Sequence, residues 1–534
     1  MKFRKMIFLA LLMTAFLSYF TANAQQDDKI TKAVMKVYDE HIAKNPNDYN
    51  ALFMRANQLY YNKDYKAAMD DVNRTIELAP QKEKELLYDA YLLRATLYEL
   101  ENNFSAESND IEKAAAIDPT NLSWVSMKGR WAYKTGNYEI AKKQYHAILQ
   151  QRPRDYDAMF NMGCIAAKQG DSEEAMKWVN NAVGLYPAEA QVYLNRAYVQ
   201  EMLGKYRDAC DTYLIAMSAT NDNSKSIERL MMLSRDHYDD VMASLKSATD
   251  DNPRVGIFYR LRSAVALNYK HYGQALHDLK AITNNNLLEY STIYNDEAMC
   301  LYQLGDYDQA YTYANKAITY DATNPDGYVL RSMIELRQGK GNNYKTAMAT
   351  IDQALKVDPD YAPALMTKAR LLIGQKKYKE ALPLATKAVE ADPASAEALM
   401  LRGWLNKYHL KNAAAAKADF EKVLSLDTSN LHSLVGFALH ELGRDSEAAA
   451  WADKLIQNYT ATGGETYYYA AALHGAMGNK AQAMKYLESC LANGYGGLYD
   501  IKFNNDPYVN LAPLRNDPSF NTLLSNYQLN FQER

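Results

Sequence analysis

The chain has 534 residues, 48% of them hydrophobic and 23% charged, and a formal charge of −4 at pH 7. That balance is ordinary for a folded globular protein, and it excludes a general nucleic-acid binder, which needs a basic excess to neutralise phosphates. With 14 Pro and 23 Gly, the chain is neither collagen-like nor disordered in composition.

The first 24 residues have the three parts of a secretory signal peptide: a basic start (Lys2, Arg4, Lys5), an apolar run from Met6 to Phe20, and Ala22-Asn23-Ala24 as a cleavage site. The apolar run is short for a membrane span, which takes about 20 residues; the alternative is an uncleaved N-terminal anchor. No Cys follows the run, so a lipid anchor is not expected. Cleavage removes three positive charges and takes the net charge from −4 to −7. No later stretch is long and apolar enough to span a bilayer. The expectation is export across one membrane, to the periplasm or beyond it. Export permits disulfides, yet Cys164, Cys210, Cys300 and Cys490 lie far apart in helical patterns. They read as buried free thiols, and the spacings of zinc ligands are absent.

Lys29 to Lys44 reads as a lone helix ending at Pro46. From there a period governs the chain. Pro119, Pro153 and Pro187 are spaced by 34, as are Pro359 and Pro393. Twelve residues before such prolines stands a small residue (Ala68, Ala141, Ala175, Ala347, Ala381). Three residues earlier there is an aromatic in most units (Tyr65, Tyr138, Tyr344, Tyr378). Twelve residues before the Ala lies a second small residue (Ala56, Gly129, Gly163, Ala369).

This pattern resembles the tetratricopeptide repeat (TPR), a helix–turn–helix unit of 34 residues. The resemblance covers some 450 residues in thirteen units, whose residues at repeat position 20 are Ala68, Glu107, Ala141, Ala175, Ala209, Val241, Ala275, Ala310, Ala347, Ala381, Ala416, Ala448 and Ala483. It implies an all-α, right-handed α-solenoid. Units one to five occupy 46–221, a degenerate sixth unit 222–253, and units seven to thirteen 254–492. The sixth has a short polar first helix after Asn221-Asp222-Asn223-Ser224 and is a candidate bend. The second unit places Glu107 where a small residue is expected. The ninth carries an extra Gly339-Lys340-Gly341-Asn342 in its turn. Solenoid ends need caps: residues 25–45 are expected at one end and 493–534 at the other, where Asp506-Pro507 and Asp517-Pro518 resemble the segment that closes many TPR arrays.

Repeat positions 7 and 23 face each other across the hairpin. Four units combine Arg with Asp there: Arg55 with Asp71, Arg94 with Asp110, Arg262 with Asp278, and Arg402 with Asp419. Four units lack a base at position 7 (Met162, Glu297, Val435, Ala470), and all carry an aromatic at 23 (Trp178, Tyr313, Trp451, Tyr486). The coupled choice implies a partly buried ion pair or an aromatic plug in one space, and it assigns these arginines to structure rather than to a ligand.

Little in the chain points to catalysis. The nine His are scattered; His271/His277 and His432/His440 lack the i, i+4 spacing of ligands on one helical face. Gly339 to Thr346 is similar to a phosphate-binding loop only loosely, lacking its second Gly and preceding strand, and no nucleophile-elbow motif occurs. No enzyme, metal or cofactor is expected. In the resembled family the first helices line a concave binding face. Carried over residue by residue, this gives Asn57, Tyr60, Arg130, Tyr133, Asn161, Asn195, Tyr198, Met299, Tyr302, Arg370 and Trp404 as candidates. The carboxylate clamp that some TPR proteins use for a chaperone's acidic C-terminus is disfavoured, because Phe53 stands where its Lys is expected. The sequence therefore points to a non-catalytic scaffold or adaptor of the bacterial cell envelope. It is expected to bind peptide segments or protein partners along that face. The alternatives are a self-associating structural component and an unrecognised envelope hydrolase.

Overall fold

The computed structural model describes residues 24–219, 223–338, 343–426, 433–458, 464–502, 504 and 506–527. Residues 1–23 of the expected signal peptide, the Gly339–Asn342 insertion and His432 lie outside the described residues, and Ala24 begins the first described helix. Within them every regular element is a helix. Two compact units emerge, Met1–Lys205 and Tyr206–Arg534. The division falls inside the fifth repeat as the period frames it.

The first unit holds α1 (Ala24–Lys44), α2 (Tyr49–Tyr61), α3 (Tyr65–Leu78), α4 (Lys84–Leu100), α5 (Phe104–Ile117), α6 (Leu122–Lys134), α7 (Tyr138–Gln151), α8 (Tyr156–Lys168), α9 (Ser172–Leu185) and α10 (Ala190–Met202). The second opens with α11 (Tyr206–Ser218), α12 (Ser224–Leu233), α13 (Tyr238–Asp251), α14 (Gly256–Asn268), α15 (Tyr272–Asn284), α16 (Ser291–Leu304), α17 (Tyr307–Tyr320), α18 (Asp326–Gln338), α19 (Asn343–Val357) and α20 (Ala362–Gly374). It continues with α21 (Tyr378–Ala391), α22 (Ala396–Tyr408), α23 (Ala413–Leu426), α24 (Leu434–Glu441), α25 (Asp445–Asn458), α26 (Glu465–Ala476), α27 (Lys480–Ala492), α28 (Leu498–Lys502), α29 (Ala512–Arg515) and α30 (Pro518–Asn526).

Consecutive helices pair tightly as four hairpins from α2 to α9 and seven from α14 to α27. Several second helices stop just before a proline, which cannot donate to the helical ladder: α5 ends at Ile117 before Pro119, and α21 at Ala391 before Pro393. The turn inside a hairpin needs one residue in the left-handed region. Gly170 supplies it at φ +79° without steric cost, whereas Lys63 takes it at φ +64°. The side chain of Asp64 then accepts from the Ala67 N–H, and that of Asp171 from the Glu174 N–H, each capping the second helix. At the degenerate repeat the order changes. The ten-residue α12 adds little, and α11 packs chiefly on α13.

The small residues set how closely the two helices of a hairpin approach. A Cβ on Gly129 would lie 2.8 Å from the Tyr145 ring, and one on Gly403 2.6 Å from Phe420. Ala56 and Ala95, at the same place in their repeats, face the smaller Val72 and Ile111, and all four are at most 1% exposed. Volume is thus conserved across the seam: Gly against a large aromatic, Ala against a branched aliphatic.

One residue earlier on each helix, the arginines act as forks. Arg55 donates to both oxygens of Asp71 at 2.6 and 2.8 Å, Arg94 to those of Asp110 at 2.6 and 2.9 Å, Arg262 to those of Asp278 at 2.8 and 2.6 Å, and Arg402 to those of Asp419 at 3.0 and 2.6 Å. In three of them the remaining nitrogen reaches the preceding helix, donating to Asp39 (2.7 Å), Asn73 (2.8 Å) and Thr249 Oγ1 (2.8 Å). One guanidinium therefore ties three helices across a repeat boundary. Where Arg is absent, Met162 packs with Trp178, and Val435, Trp451, Ala470 and Tyr486 join one apolar cluster. Glu297 is fully buried, with Thr283 Oγ1 donating to it at 3.0 Å, and burial pushes its carboxyl up to about 7.

Arg262 and Asp278 are 9% and 0% exposed as side chains, so losing one partner strands a buried charge. Arg262→Ala should cost about 3–5 kcal/mol of local stability, and far less once Asp278 is already Ala. A double-mutant cycle on the opening free energy of Gly256–Asn268, measured by native-state hydrogen exchange, checks this; no coupling would refute it.

Candidate functional site

Successive first helices touch one another within each unit, as α2 with α4, α8 with α10, and each of α16, α18, α20, α22 and α24 with the next first helix. Their shared side is the face on which a partner can span several repeats.

In the first unit this face carries aromatic and cationic groups. Tyr60 lies 5.9 Å, ring to ring, from both Tyr61 and Tyr65, and Tyr133 lies 6.0 Å from Tyr138. Tyr198 is 45% exposed and meets Phe160 edge-on at 6.0 Å. Lys134 (2.7 Å) and Arg130 (3.7 Å) flank Glu99, and each keeps over two-fifths of its side chain in solvent. The asparagines are turned to local work. Asn57 donates to the Phe53 carbonyl at 3.0 Å and Asn161 to the Asp157 carbonyl at 2.7 Å. Asn195 is buried and accepts from Gln191 at 2.9 Å.

In the second unit the chain itself occupies the face. After α27 the described residues between Tyr495 and Arg515 return along the first helices. The Gly496 N–H donates to the Lys270 carbonyl at 3.2 Å. Tyr499 lies 4.6 Å from the Tyr302 ring, and its hydroxyl accepts from Arg337 at 2.8 Å. Asp506 pairs with Arg370 at 3.0 Å, and the Tyr508 hydroxyl donates to the Glu397 carbonyl at 3.1 Å. Arg515 pins the segment by donating to the Asn504 carbonyl at 2.5 Å. Tyr302 and Arg370, expected as ligand contacts, thus meet the chain's own C-terminal segment. Trp404 is part-buried in the apolar cluster, 4.5 Å from the His409 ring.

The returning segment encloses a cavity of about 460 Å³ against the first helices, where Met299 is part of the wall. Five carboxylates (Asp296, Glu397, Glu465, Asp500, Asp506) line it against two cations, Lys270 and Arg370. Tyr272, Tyr468, Tyr469, Tyr495 and Tyr508 form much of the rest. Asp500 accepts from the Tyr495 hydroxyl at 2.7 Å, and Glu465 is 3.7 Å from Lys270. Burial holds Asp296, Glu465 and Asp500 above the usual carboxylate range, and Asp500 raises Glu465 further. Sequence reasoning missed this cavity, because its residues come from six or more helices and no short spacing joins them.

Among the described residues no group of three or more His, Cys, Asp or Glu is placed to hold a metal ion, and no helix is long and apolar enough to cross a membrane. The four cysteines are buried and form no disulfide, with Cys164 pushed up to about 12 by burial.

Tetratricopeptide-repeat family models match residues 126–190, 291–324, 340–405, 396–430 and 465–495. Those segments are tetratricopeptide repeats. A TPR repeat-containing protein of Methanocaldococcus jannaschii is 23% identical over 82% of this repeat chain and 74% of its own. An Hsp70-Hsp90 organizing protein of Triticum aestivum is 23% identical over 24% of this chain and 22% of its own length. Among solved structures, yeast Tom70 aligns over 76% of this chain and 96% of its own at 15% identity, with a TM-score of 0.36. A tetratricopeptide repeat protein from Parabacteroides merdae aligns over 54% and 98% at 13% identity, with a TM-score of 0.28.

Glu107, the exception among the small residues of the TPR frame, is fully buried, and neither carboxylate oxygen has a hydrogen-bond partner. Burial and the nearby Glu99 push its carboxyl up to about 7, against the pull of Lys134 and Arg130. The folded state therefore favours the protonated acid. The stabilisation this gives is complete below the ordinary carboxyl range and is lost as pH rises through about 7. Glu107→Gln, neutral at every pH, should protect the amides of Phe104–Ile117 more than the parent does at pH 8. The gap should close at pH 5. Hydrogen exchange at the two pH values checks this, and an equal gap at both would refute it.

Proposed function

We propose that this tetratricopeptide-repeat protein is an exported adaptor of the bacterial cell envelope that holds a peptide segment of a protein partner along the first-helix face of residues 49–202. One contrast carries the reading. The face of the second unit is filled by the chain's own residues between 495 and 515, while that of the first presents Tyr60 on α2, Arg130 and Tyr133 on α6, and Tyr198 on α10, with Tyr198 and Arg130 exposed. Aromatic and Arg side chains are the usual anchors of such contacts, since they bury much area and still hydrogen-bond. A preformed helical face also limits the ordering cost of binding to the partner's side. The organizing protein of wheat carries in its name a role in assembling other proteins, which agrees with an adaptor. The missing clamp lysine at Phe53 points to a different partner end. Export rests on the leader of residues 1–24.

A photo-crosslinking residue at Tyr198 should capture a partner in cells, and Arg130→Ala should reduce the yield severalfold. The same residue at Glu139, 84% exposed on a second helix, should not. Equal capture from both sites would overturn the assignment of the face, and crosslinks only between copies would favour self-association. For export, the protein recovered from the envelope fraction should begin at Gln25. An intact Met1 terminus in a cytoplasmic fraction would refute the leader.

A further inference from the structure

We infer that the cavity of the second unit binds an organic cation, an alkylammonium or guanidinium group on a short apolar stem, between Asp500, Glu465 and the carbonyl of Gln303. Four observations converge on it. Its walls hold five carboxylates against two cations, and Arg260 behind the wall pairs with one of them, Asp296, at 2.8 Å, which leaves the site short of two positive charges. Arg370 is already committed to Asp506 at 3.0 Å, and Lys270 pairs with Glu465 only loosely, at 3.7 Å, so a cation seated closer can compete with it. Gln303, 8% exposed in the wall, hydrogen-bonds Asp500 through its side chain while its Oε1 has no donor. A buried carbonyl oxygen without a donor costs free energy that a ligand N–H recovers. Tyr468 and Tyr495 stack at 5.0 Å and 8°, giving a flat aromatic wall for the stem or for a cation over the ring face. The volume of about 460 Å³ lies within the common range of small-ligand sites, about 300–1,000 Å³.

The same chemistry could arrive as a free amine or as a Lys or Arg side chain on a peptide. Calorimetry on the protein from Gln25 onward separates the cases, using agmatine, cadaverine, and N-acetylated Gly-Arg-Gly amide and Gly-Lys-Gly amide, with N-acetylcitrulline amide and hexanol as uncharged controls. The cations should bind at one site, at least tenfold more tightly than the controls. Tighter binding of agmatine than of N-acetylated Gly-Arg-Gly amide assigns a free amine; the reverse assigns a side chain. Glu465→Gln should weaken binding about tenfold. Lys270→Met should strengthen it severalfold by removing the competing ammonium, a sign opposite to that of an anion site. Circular dichroism verifies the fold of both variants, which spares the more buried Asp500. Absence of binding by every cation, equal affinity for charged and uncharged probes, or weaker binding by Lys270→Met would overturn the inference. The measurement does not involve the first-unit face, so the adaptor reading stands or falls separately.

Discussion

Everything in this chain depends on how closely two helices can approach. At the crossing of each hairpin the first helix offers almost no side chain, and the facing position fills the space that remains: Tyr145 over Gly129, Phe420 over Gly403, Val72 beside Ala56. Dense packing at that point fixes the spacing of the helices. It also fixes the register, so residues one step earlier on both strands of the hairpin come face to face. That is why Arg and Asp sixteen residues apart can form a two-point fork in three repeats, and why the fork in the fourth, seventeen apart, keeps the same geometry beside a Gly–aromatic crossing also displaced by one.

The forks turn a stack of hairpins into a continuous structure. Solenoid stability is a sum of repeat terms and nearest-neighbour terms, and a guanidinium that also reaches Asp39, Asn73 or Thr249 contributes to both at once. A point charge on a flexible stem could not bridge three helices in this way, whereas a planar fork with five donors can. Glu107 and Glu297 are the price of irregularity in this scheme. Each places a carboxyl where the frame supplies no cation, and in each the acid form is favoured.

The period, the hairpin boundaries and the pairing of positions 7 and 23 were legible because they recur: Pro119, Ala141 and Arg262 are each one sample of a repeated constraint. The third contact of each Arg was not, since Asp39, Asn73 and Thr249 sit at different separations from it. The C-terminal segment was legible only as a terminus. Its Asp-Pro pairs advertise helix starts, and Asp517 does cap α30 by accepting from the Ser519 N–H. Nothing in the sequence says that Asp506 meets Arg370, 136 residues away, or that Tyr499 meets Arg337, 162 residues away. Candidate face residues sorted for the same reason. Tyr198 and Arg130 stay in solvent, where only local geometry matters. Tyr302 and Arg370 are covered by a segment whose path no local rule specifies.

That return path changes what the second unit can recognise. An open face along first helices suits an extended segment, which makes many modest contacts over several repeats. Once residues between 495 and 515 lie on the face, a passing chain has no continuous track, and what remains is a walled cavity with acid groups drawn partly out of water. Burial makes Asp296, Glu465 and Asp500 costly to ionise alone and strengthens their attraction to any cation that enters. The second unit is thereby specialised for a single charged group rather than a length of chain. Its selectivity comes from the segment that closes the face, since Tyr495, Asp500 and Asp506 all belong to it. The repeats supply Glu465, Gln303 and a rigid wall, and the non-repeating end supplies Asp500 and closes the cavity.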